Sequence, residues 1–314
     1  MKRSRGERNI VVTALKAAVP YIRIFKRKVF VIKVGGAVFA DAELTHHIDE
    51  QIGILHEVRI RVVLLHGGGP QSTELAGALG IPSRFVGGRR VTDEATLEVS
   101  TMALNGLVNT RILAACRDLG LPAVGMSGVD AGLIQANRRP PVADTNEADG
   151  KVDYGYVGDI LDVHSDVLAG QLDAGFLPVI SPLSADASGV LLNINADTVA
   201  AALAAALSAE KLIIATGAPG ILEDPSDPGS LASYMDLAGL ARLRADGALA
   251  DGMAPKAAAI EQAIRGGVQR VHVISHHLAD SLLLEVFTNE GTGTLVVEDV
   301  QSLTPAEQAA ETDR

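Results

Sequence analysis

Short apolar runs recur along the chain and alternate with longer stretches in which apolar residues return every three or four positions. The runs predicted to be buried strands are residues 29–34, 62–66, 123–125, 177–181, 211–215 and 270–275. Helical spacing covers residues 44–56 and 95–119, and an alanine-rich stretch at 198–207 favours a further helix. This alternation predicts an α/β protein, a three-layer α/β/α sandwich around a mainly parallel open sheet.

Two stretches interrupt the alternation. Residues 140–150 are polar and rich in turn formers, and residues 152–160 then alternate as a small exposed β-hairpin would. We expect this hairpin to form a flap beside a functional site. Residues 299–314 are polar and rich in Ala, Glu and Thr, so they are predicted to be a flexible tail.

The first 28 residues differ in charge from the rest, with nine Lys or Arg against one acid, Glu7. Six of their apolar residues share one helical face, and Pro20 is predicted to end the helix. These six are Ile10, Val11, Ala14, Leu15, Ala18 and Val19. A docking helix explains this pattern, and the alternatives are a cleaved transit peptide or a solvated helix without a partner.

Composition narrows the class of protein. A chain of 314 residues with 47% hydrophobic and only 3% aromatic residues can build an aliphatic core, and two coupled lobes are expected. A net charge of -11 disfavours nucleic acid as a partner. No apolar run approaches the length of a membrane span, and the lone Cys116 has no internal disulfide partner. These features favour a cytoplasmic protein.

Two glycine clusters follow predicted strands, Gly35-Gly36 after Lys33 and Gly67-Gly68-Gly69 after His66. Glycines at strand ends leave backbone N–H groups free to approach an anion, and Lys33 adds positive charge. One such cluster is equally consistent with a tight turn, but two at neighbouring strand ends can address one ligand. Neither the Walker pattern nor the dinucleotide-binding fingerprint is complete, because Ser72 replaces the last glycine of the latter.

A polar segment precedes the alanine-rich helix. If residues 193–197 are extended, Asn193, Asn195 and Asp197 lie on one side, although one of them can simply cap the helix. An aspartate can hold lysines by charge-assisted hydrogen bonds, and Lys33 and Lys256 are the candidates.

Arg89 and Arg90 follow Gly87-Gly88 on a predicted loop, where a guanidinium can bind a carboxylate in bidentate fashion. The candidate residues as a set are rich in cations and donors and poor in nucleophiles. That balance suits phosphoryl transfer to a carboxylate, which is already ionised and needs no general base. His66 is given no role, and His276-His277 is interpreted as a surface pair rather than a metal site.

Six motifs together identify a family: KVGG at 33–36, HGGGPQ at 66–71, GRRVTD at 88–93, VDYGYVGDI at 152–160, NINAD at 193–197 and DGMAPK at 251–256. In this order and spacing they resemble the acetylglutamate kinases of the amino acid kinase family, over about residues 29–297. The resemblance implies transfer of the γ-phosphoryl group of ATP to the side-chain carboxylate of N-acetyl-L-glutamate, in arginine biosynthesis. Mg²⁺ would arrive bound to ATP, with no metal-binding residue in the protein.

The resemblance also implies roles for individual residues. Lys33 and Lys256 would stabilise the transferring phosphoryl group, and Asp197 would orient both lysines. The substrate would be bound by Gly68, Gly69, Arg90, Asn193 and Asn195, with Arg90 on its α-carboxylate. The nucleotide would be bound by Gly35, Gly36, Thr216 and Gly220. One departure lies here, because Thr216-Gly217 stands where many relatives have Thr-Asp.

The chain ends resemble the arginine-inhibited members of that family. Tyr21, Lys211, Glu285 and Gly291 would bind arginine, and the N-terminal helix would link dimers into a hexamer, a trimer of dimers. We therefore expect an oligomer-contact helix over 1–28, an amino-acid-binding lobe over 29–190 and a nucleotide-binding lobe with the effector site over 191–298. The alternatives are a kinase of carrier-bound aminoadipate and a non-catalytic arginine sensor.

Overall fold

The computed structural model describes residues 5–143, 150–249, 252–289 and 291–303. Its helices are α1 (Arg5–Phe25), α2 (Ala42–Glu57), α3 (Gly69–Ala78), α4 (Glu94–Thr101), α5 (Thr110–Asp118), α6 (Asp166–Asp173), α7 (Ala196–Ala206), α8 (Leu237–Ala245), α9 (Met253–Arg265) and α10 (Ser281–Phe287). A π-helix, Met102–Asn109, joins α4 to α5, and short 3₁₀ helices lie at Val38–Ala40, Asp130–Gly132 and Val300–Ser302. None of the described helices is both long and apolar enough to span a membrane.

The strands are β1 (Val29–Val34), β2 (Arg61–His66), β3 (Arg84–Val86), β4 (Arg89–Val91), β5 (Ala123–Ser127), β6 (Ile134–Arg138), β7 (Val142–Ala143), β8 (Lys151–Val152), β9 (Gly158–Val163), β10 (Leu177–Ser181), β11 (Leu183–Ala185), β12 (Leu191–Asn193), β13 (Lys211–Thr216), β14 (Tyr234–Asp236), β15 (Val271–Ser275) and β16 (Thr294–Val297). The main sheet has eight strands in the order β14-β16-β15-β13-β1-β2-β10-β5. All six strands predicted from the sequence belong to it, and each pairs with its neighbours among the six in parallel.

The mainly parallel sheet is therefore confirmed. The sequence prediction missed β14 and β16, which extend one edge and introduce the antiparallel pair β15–β16. Because the six strands are parallel, the glycine clusters that follow β1 and β2 emerge at the same edge of the sheet as the ends of β13 and β15.

Helices cover both faces of the sheet because successive residues of each strand point to opposite sides. In β1, Val31 packs into a core with residues of α6, α7 and α9. Its neighbours Phe30 and Ile32 pack on the other face with residues of α2, α5 and α10. Together with the sheet these two helical layers form the predicted α/β/α sandwich.

The prediction that Pro20 ends the first helix is wrong, since α1 continues through it to Phe25. A proline inside a helix removes a hydrogen bond and costs roughly 3 kcal/mol. The last turn is held by tertiary contacts, because Phe25 packs edge-on against Phe30 at 5.3 Å and Tyr21 against Phe287 at 6.5 Å. The part of α1 that precedes Pro20 carries four exposed apolar side chains, Ile10, Val11, Val12 and Leu15.

The predicted hairpin over 152–160 is also wrong. Strand β9 pairs with β6, and β8 pairs with β7, so the alternation belongs to strands whose partners precede residue 144. Tyr154, between β8 and β9, is buried rather than exposed. In the predicted tail, Val300–Ser302 forms a 3₁₀ helix, whereas residues 144–149 and 304–314 lie outside the described residues.

Candidate active site

Two lysines meet one aspartate at the carboxyl edge of the sheet. Lys33 lies at the end of β1, Asp197 in the first turn of α7, and Lys256 in the first turns of α9. The Lys33 Nζ is 2.7 Å from Asp197 Oδ1, and the Lys256 Nζ is 3.5 Å from Asp197 Oδ2. The structure thus brings together three residues that are separated by up to 223 positions in the chain.

The charges of these three groups depend on one another. Burial alone would raise the pKa of Asp197, but the charges and hydrogen bonds of Lys33 and Lys256 outweigh it and hold that pKa below its usual value. Burial lowers the pKa of Lys256, and the nearby charge of Lys33 lowers it further against the pull of Asp197. The ionised aspartate therefore keeps two ammonium groups close together in a site that excludes most water.

Two cavities flank this cluster. The first has a volume of about 280 Å³ and the second about 400 Å³. Lys33 and Gly36 line both cavities, whereas Asp197 lines the first and Lys256 the second. A group passed from one cavity to the other would cross directly over Lys33.

The two glycine loops touch each other between these cavities. A Cβ atom at Gly36 would lie 2.7 Å from the Cα of Gly68, so this approach requires glycine at position 36. Gly68 and Gly69 line the first cavity at the start of α3. The N–H groups of a helix start are suited to bind an anion.

Arg90 lies on a strand, not on the predicted loop. Strands β3 and β4 form a hairpin around Gly87 and Gly88, whose φ angles of 53° and 73° suit a two-residue turn. The guanidinium of Arg90 stacks 4.7 Å from the ring centroid of Phe85 and donates to Ser83 Oγ, Thr73 Oγ1 and the carbonyl oxygen of Gly69. Burial lowers its pKa, and it lines the first cavity with Arg89.

The sequence predicts an extended segment over 193–197, but only its first part is extended. Asn193 ends β12, Asn195 caps α7 by accepting from the Thr198 N–H at 3.1 Å, and Asp197 is already helical. The helix start turns the segment so that all three side chains still line the first cavity. Asn195 therefore combines the capping role with a position at the site.

The nucleotide residues predicted from the sequence do not all reach the second cavity. Gly35, Gly36 and Thr216 line it, but Gly220 does not. Gly220 is buried beyond the cavity wall, where a Cβ atom would lie 2.6 Å from Leu231 Cδ1. A packing requirement thus explains this glycine. His276 instead lines the cavity, close to Gly217.

Sequence reasoning missed three buried polar residues behind the loops. Gln71 donates from Nε2 to the carbonyl oxygen of Gly36 at 2.6 Å. His66 contacts the carbonyl oxygen of Gly67, and Asn109, at the end of the π-helix, contacts His66. The only signal for them in the sequence was that His66 and Gln71 bracket the glycines of one motif.

The four residues predicted to bind an effector line one further cavity, of about 260 Å³, between α1, β13 and α10. A buried chain of contacts forms its floor: Lys211 Nζ lies 2.8 Å from His272 Nε2, and His272 Nδ1 lies 2.6 Å from Glu285 Oε1. Burial opposes ionisation of Glu285, but its bonds to His272 and Thr292 lower its pKa to about 2. Tyr21 donates from its hydroxyl to Asn289 at 2.7 Å.

Comparison with known proteins places this site in a family. The model of the amino acid kinase family matches residues 28–275. A Myxococcus xanthus protein named acetylglutamate kinase is 49% identical over 91% of this chain and 94% of its own length. N-acetylglutamate synthase from Neisseria gonorrhoeae, solved with coenzyme A and N-acetyl-glutamate, is 30% identical with a TM-score of 0.79, covering 92% of this chain and 64% of that one.

A carbamate kinase from Giardia lamblia bound to AMP-PNP shares the fold, with a TM-score of 0.61 at 17% identity over 87% of this chain and 99% of that one. The six motifs lie within residues 28–275, the range of the family match, and so do Lys33, Asp197 and Lys256. The chain therefore belongs to the amino acid kinase family and, within it, to the acetylglutamate kinases.

Proposed function

We propose that this protein transfers the γ-phosphoryl group of ATP to the side-chain carboxylate of N-acetyl-L-glutamate. The observation that carries the proposal is the pair of cavities that share Lys33 and Gly36. A carboxylate in the first cavity and a triphosphate in the second would meet across a lysine and a glycine N–H. Positioning and neutralisation of charge are what phosphoryl transfer demands of a protein.

The residues of the first cavity suit a dicarboxylate. Arg90 presents a guanidinium held by three acceptors, which suits the α-carboxylate, and Asn193, at the end of β12, lines the same cavity. Asn195 adds a second amide at the helix start. This cavity is lined mainly by residues of the expected amino-acid-binding lobe over 29–190, with residues 193–197 completing it.

The second cavity suits the phosphates of a nucleotide. Lys33 and Lys256 supply two cations, and Gly35 and Gly36 precede a helical turn with no side chain in the way. Asp197 is occupied by the two lysines, so Mg²⁺ would arrive as part of MgATP rather than on a protein carboxylate.

The test is release of ADP with MgATP and N-acetyl-L-glutamate, with the acyl phosphate trapped as a hydroxamate. We expect turnover by the unchanged protein and a loss of at least about 100-fold in Lys33→Ala. Lys28→Ala, a change of a lysine outside both cavities, should leave turnover unchanged. Turnover of an aminoadipate on a carrier, but not of N-acetyl-L-glutamate, would contradict the proposal.

We further propose that the third cavity binds arginine and that binding inhibits the enzyme. Glu285 offers a buried, ionised carboxylate to a guanidinium, and a carboxylate can accept more bonds than the ones it makes to His272, Thr292 and Gly293. Lys211 offers an ammonium group to the carboxylate of the effector.

Glu285→Gln keeps the shape of this side chain and removes its charge. We expect the arginine concentration for half-inhibition to rise at least about tenfold, with basal turnover retained. Glu261→Gln, on the outer face of α9, is the matched control. Arginine binding by a protein without turnover would instead identify a non-catalytic sensor.

A further inference from the structure

His66 lies behind the glycine loop rather than in either cavity of the site. It ends β2, is fully buried, and packs edge-on against Phe39. Its Nδ1 is 3.0 Å from the carbonyl oxygen of Gly67, and its Nε2 is 3.1 Å from Nδ2 of Asn109. Both ring nitrogens therefore have partners inside the protein.

The partners decide which nitrogen carries the proton. Asn109 Nδ2 also lies 2.9 Å from the carbonyl oxygen of Val179, which can only accept, so this atom is the amide nitrogen. The same amide then donates to His66 Nε2, which must accept. The proton of the neutral ring is consequently on Nδ1, where it donates to the Gly67 carbonyl. Burial lowers the pKa of His66 to about 4, so the ring is neutral at ordinary pH.

This bond fixes the peptide between Gly67 and Gly68. In a trans peptide the carbonyl and the following N–H point in opposite directions. With the Gly67 carbonyl held toward His66, the Gly68 N–H points away from the buried ring. Gly68 lines the first cavity, and among the described residues no acceptor receives its N–H.

The π-helix supports the same peptide from the other side. A Cβ atom at Gly68 would lie 2.5 Å from Leu104 Cδ2, so Leu104 packs directly on the loop. Asn109, the last residue of the same π-helix, packs over Gly125, where a Cβ atom would lie 2.1 Å from its Oδ1. The wider helical turn thus places one residue on the loop and another on the histidine.

We propose that His66 and Asn109 are positioning residues that hold the Gly67–Gly68 peptide with its N–H aimed at the transferring phosphoryl group. This inference rests on the proposed function, because it assigns that N–H a reacting partner. A preorganised donor is effective because it does not have to reorient when charge develops in the transition state. Neither residue needs to touch the substrate.

Two amide replacements of different length separate this role from simple packing. In His66→Asn the amide nitrogen can take the position of Nδ1 and keep the bond to Gly67, whereas in His66→Gln it reaches toward Nε2. We expect kcat of His66→Gln to fall at least about tenfold while the KM for ATP changes less than about threefold. His66→Asn should recover most of kcat. Equal kcat in the two variants would overturn the proposal.

The tautomer is measured separately in the unchanged protein by long-range ¹H–¹⁵N NMR of the imidazole. We expect a neutral ring protonated on Nδ1 between pH 6 and 8, and a ring protonated on Nε2 would refute the arrangement. This spectrum needs no substrate, so it judges the positioning residues even if N-acetyl-L-glutamate is not phosphorylated. Absence of turnover in the unchanged protein would count against the proposed function alone.

Discussion

Asp197 holds two ammonium groups that would repel each other without it. Its oxygens lie 2.7 Å from Lys33 Nζ and 3.5 Å from Lys256 Nζ, and its side chain is only 6% exposed. A carboxylate this buried stays ionised because the two ammonium groups stabilise it, and it in turn stabilises their positive charges. The three residues therefore function as a unit.

Asp197→Asn tests this at the residue scale. The amide keeps the size of the side chain but removes its charge, so the two lysines are expected to separate and kcat to fall at least about 100-fold. Hydroxamate formation measures the effect. Asp186→Asn, the same change in an exposed turn, is the control. If Asp197→Asn had a kcat near that of the unchanged protein, the expectation would be contradicted.

The buried carboxyl group of Asp49 makes the stability of the protein depend on pH. It is fully buried in α2, its carboxylate oxygens have no hydrogen-bond partner among the described residues, and burial raises its pKa from 3.8 to about 7. The folded protein therefore keeps this proton to higher pH than the unfolded chain does. The contribution of Asp49 to the free energy of unfolding therefore falls as pH rises from about 4 to 7, by about 4 kcal/mol.

Asp49→Asn removes this titration. We expect the variant to gain stability relative to the unchanged protein as pH rises, with the larger gain at pH 8 than at pH 5. Urea unfolding at the two pH values measures the difference. If the variant and the unchanged protein differed in free energy of unfolding by the same amount at pH 5 and pH 8, Asp49 would not hold its proton in the folded state.

The hairpin of β3 and β4 is the element that closes the first cavity. Its residues Phe85, Arg89 and Arg90 line this cavity, the proposed substrate site, and the hydroxyl of Tyr154 donates to the Val86 carbonyl oxygen at 3.3 Å. The turn depends on Gly87 and Gly88, both in the left-handed region. The geometry of Arg90 is thus set by two residues that have no side chain.

Gly88→Ala tests this element. A Cβ atom at a φ of 73° costs roughly 1–2 kcal/mol in strain. Because the strain falls on the hairpin, we expect the KM for N-acetyl-L-glutamate to rise several-fold with a smaller effect on kcat and on the KM for ATP. Gly77→Ala in α3, where a Cβ meets open space, is the control. An unchanged KM would show that the hairpin does not position Arg90.

Charge is divided unevenly over the whole molecule. Residues 1–28 hold nine of the 27 basic residues and only one of the 38 acidic ones, so the rest of the chain is strongly acidic. The N-terminal part of helix α1 has exposed apolar residues, whereas its last turns line the third cavity through Tyr21 and Phe25. We expect its upstream part to contact the acidic surface of a second copy, which links assembly to the proposed effector site.

Removal of residues 1–24 tests this at the scale of the whole molecule. We expect a smaller assembly by light scattering and loss of inhibition by arginine, with basal turnover retained because both active-site cavities lie elsewhere. Tyr21→Phe keeps the helix and removes only the hydroxyl, so it should preserve the assembly. An unchanged assembly and an unchanged arginine response in the truncated chain would refute the link.

Features that depend on residues close together in the chain could be predicted from the amino-acid sequence. Apolar runs and helical spacing located six parallel strands, because burial of alternate or periodic residues follows from the geometry of each element. Glycines after β1 and β2 located the loops, since close approach of two backbones leaves no alternative residue. The pairing of Lys33, Asp197 and Lys256 was suggested by the chemistry of their side chains and assigned by the family motifs, not by periodicity.

Features that depend on partners distant in the chain required the three-dimensional fold. Helix α1 continues through Pro20 because Phe25 packs on Phe30, and Gly220 lies outside the second cavity because it packs against Leu231. The protonated nitrogen of His66 depends on Asn109, 43 positions away. Such contacts carry no local pattern, since their energy arises only when the sheet brings the residues together.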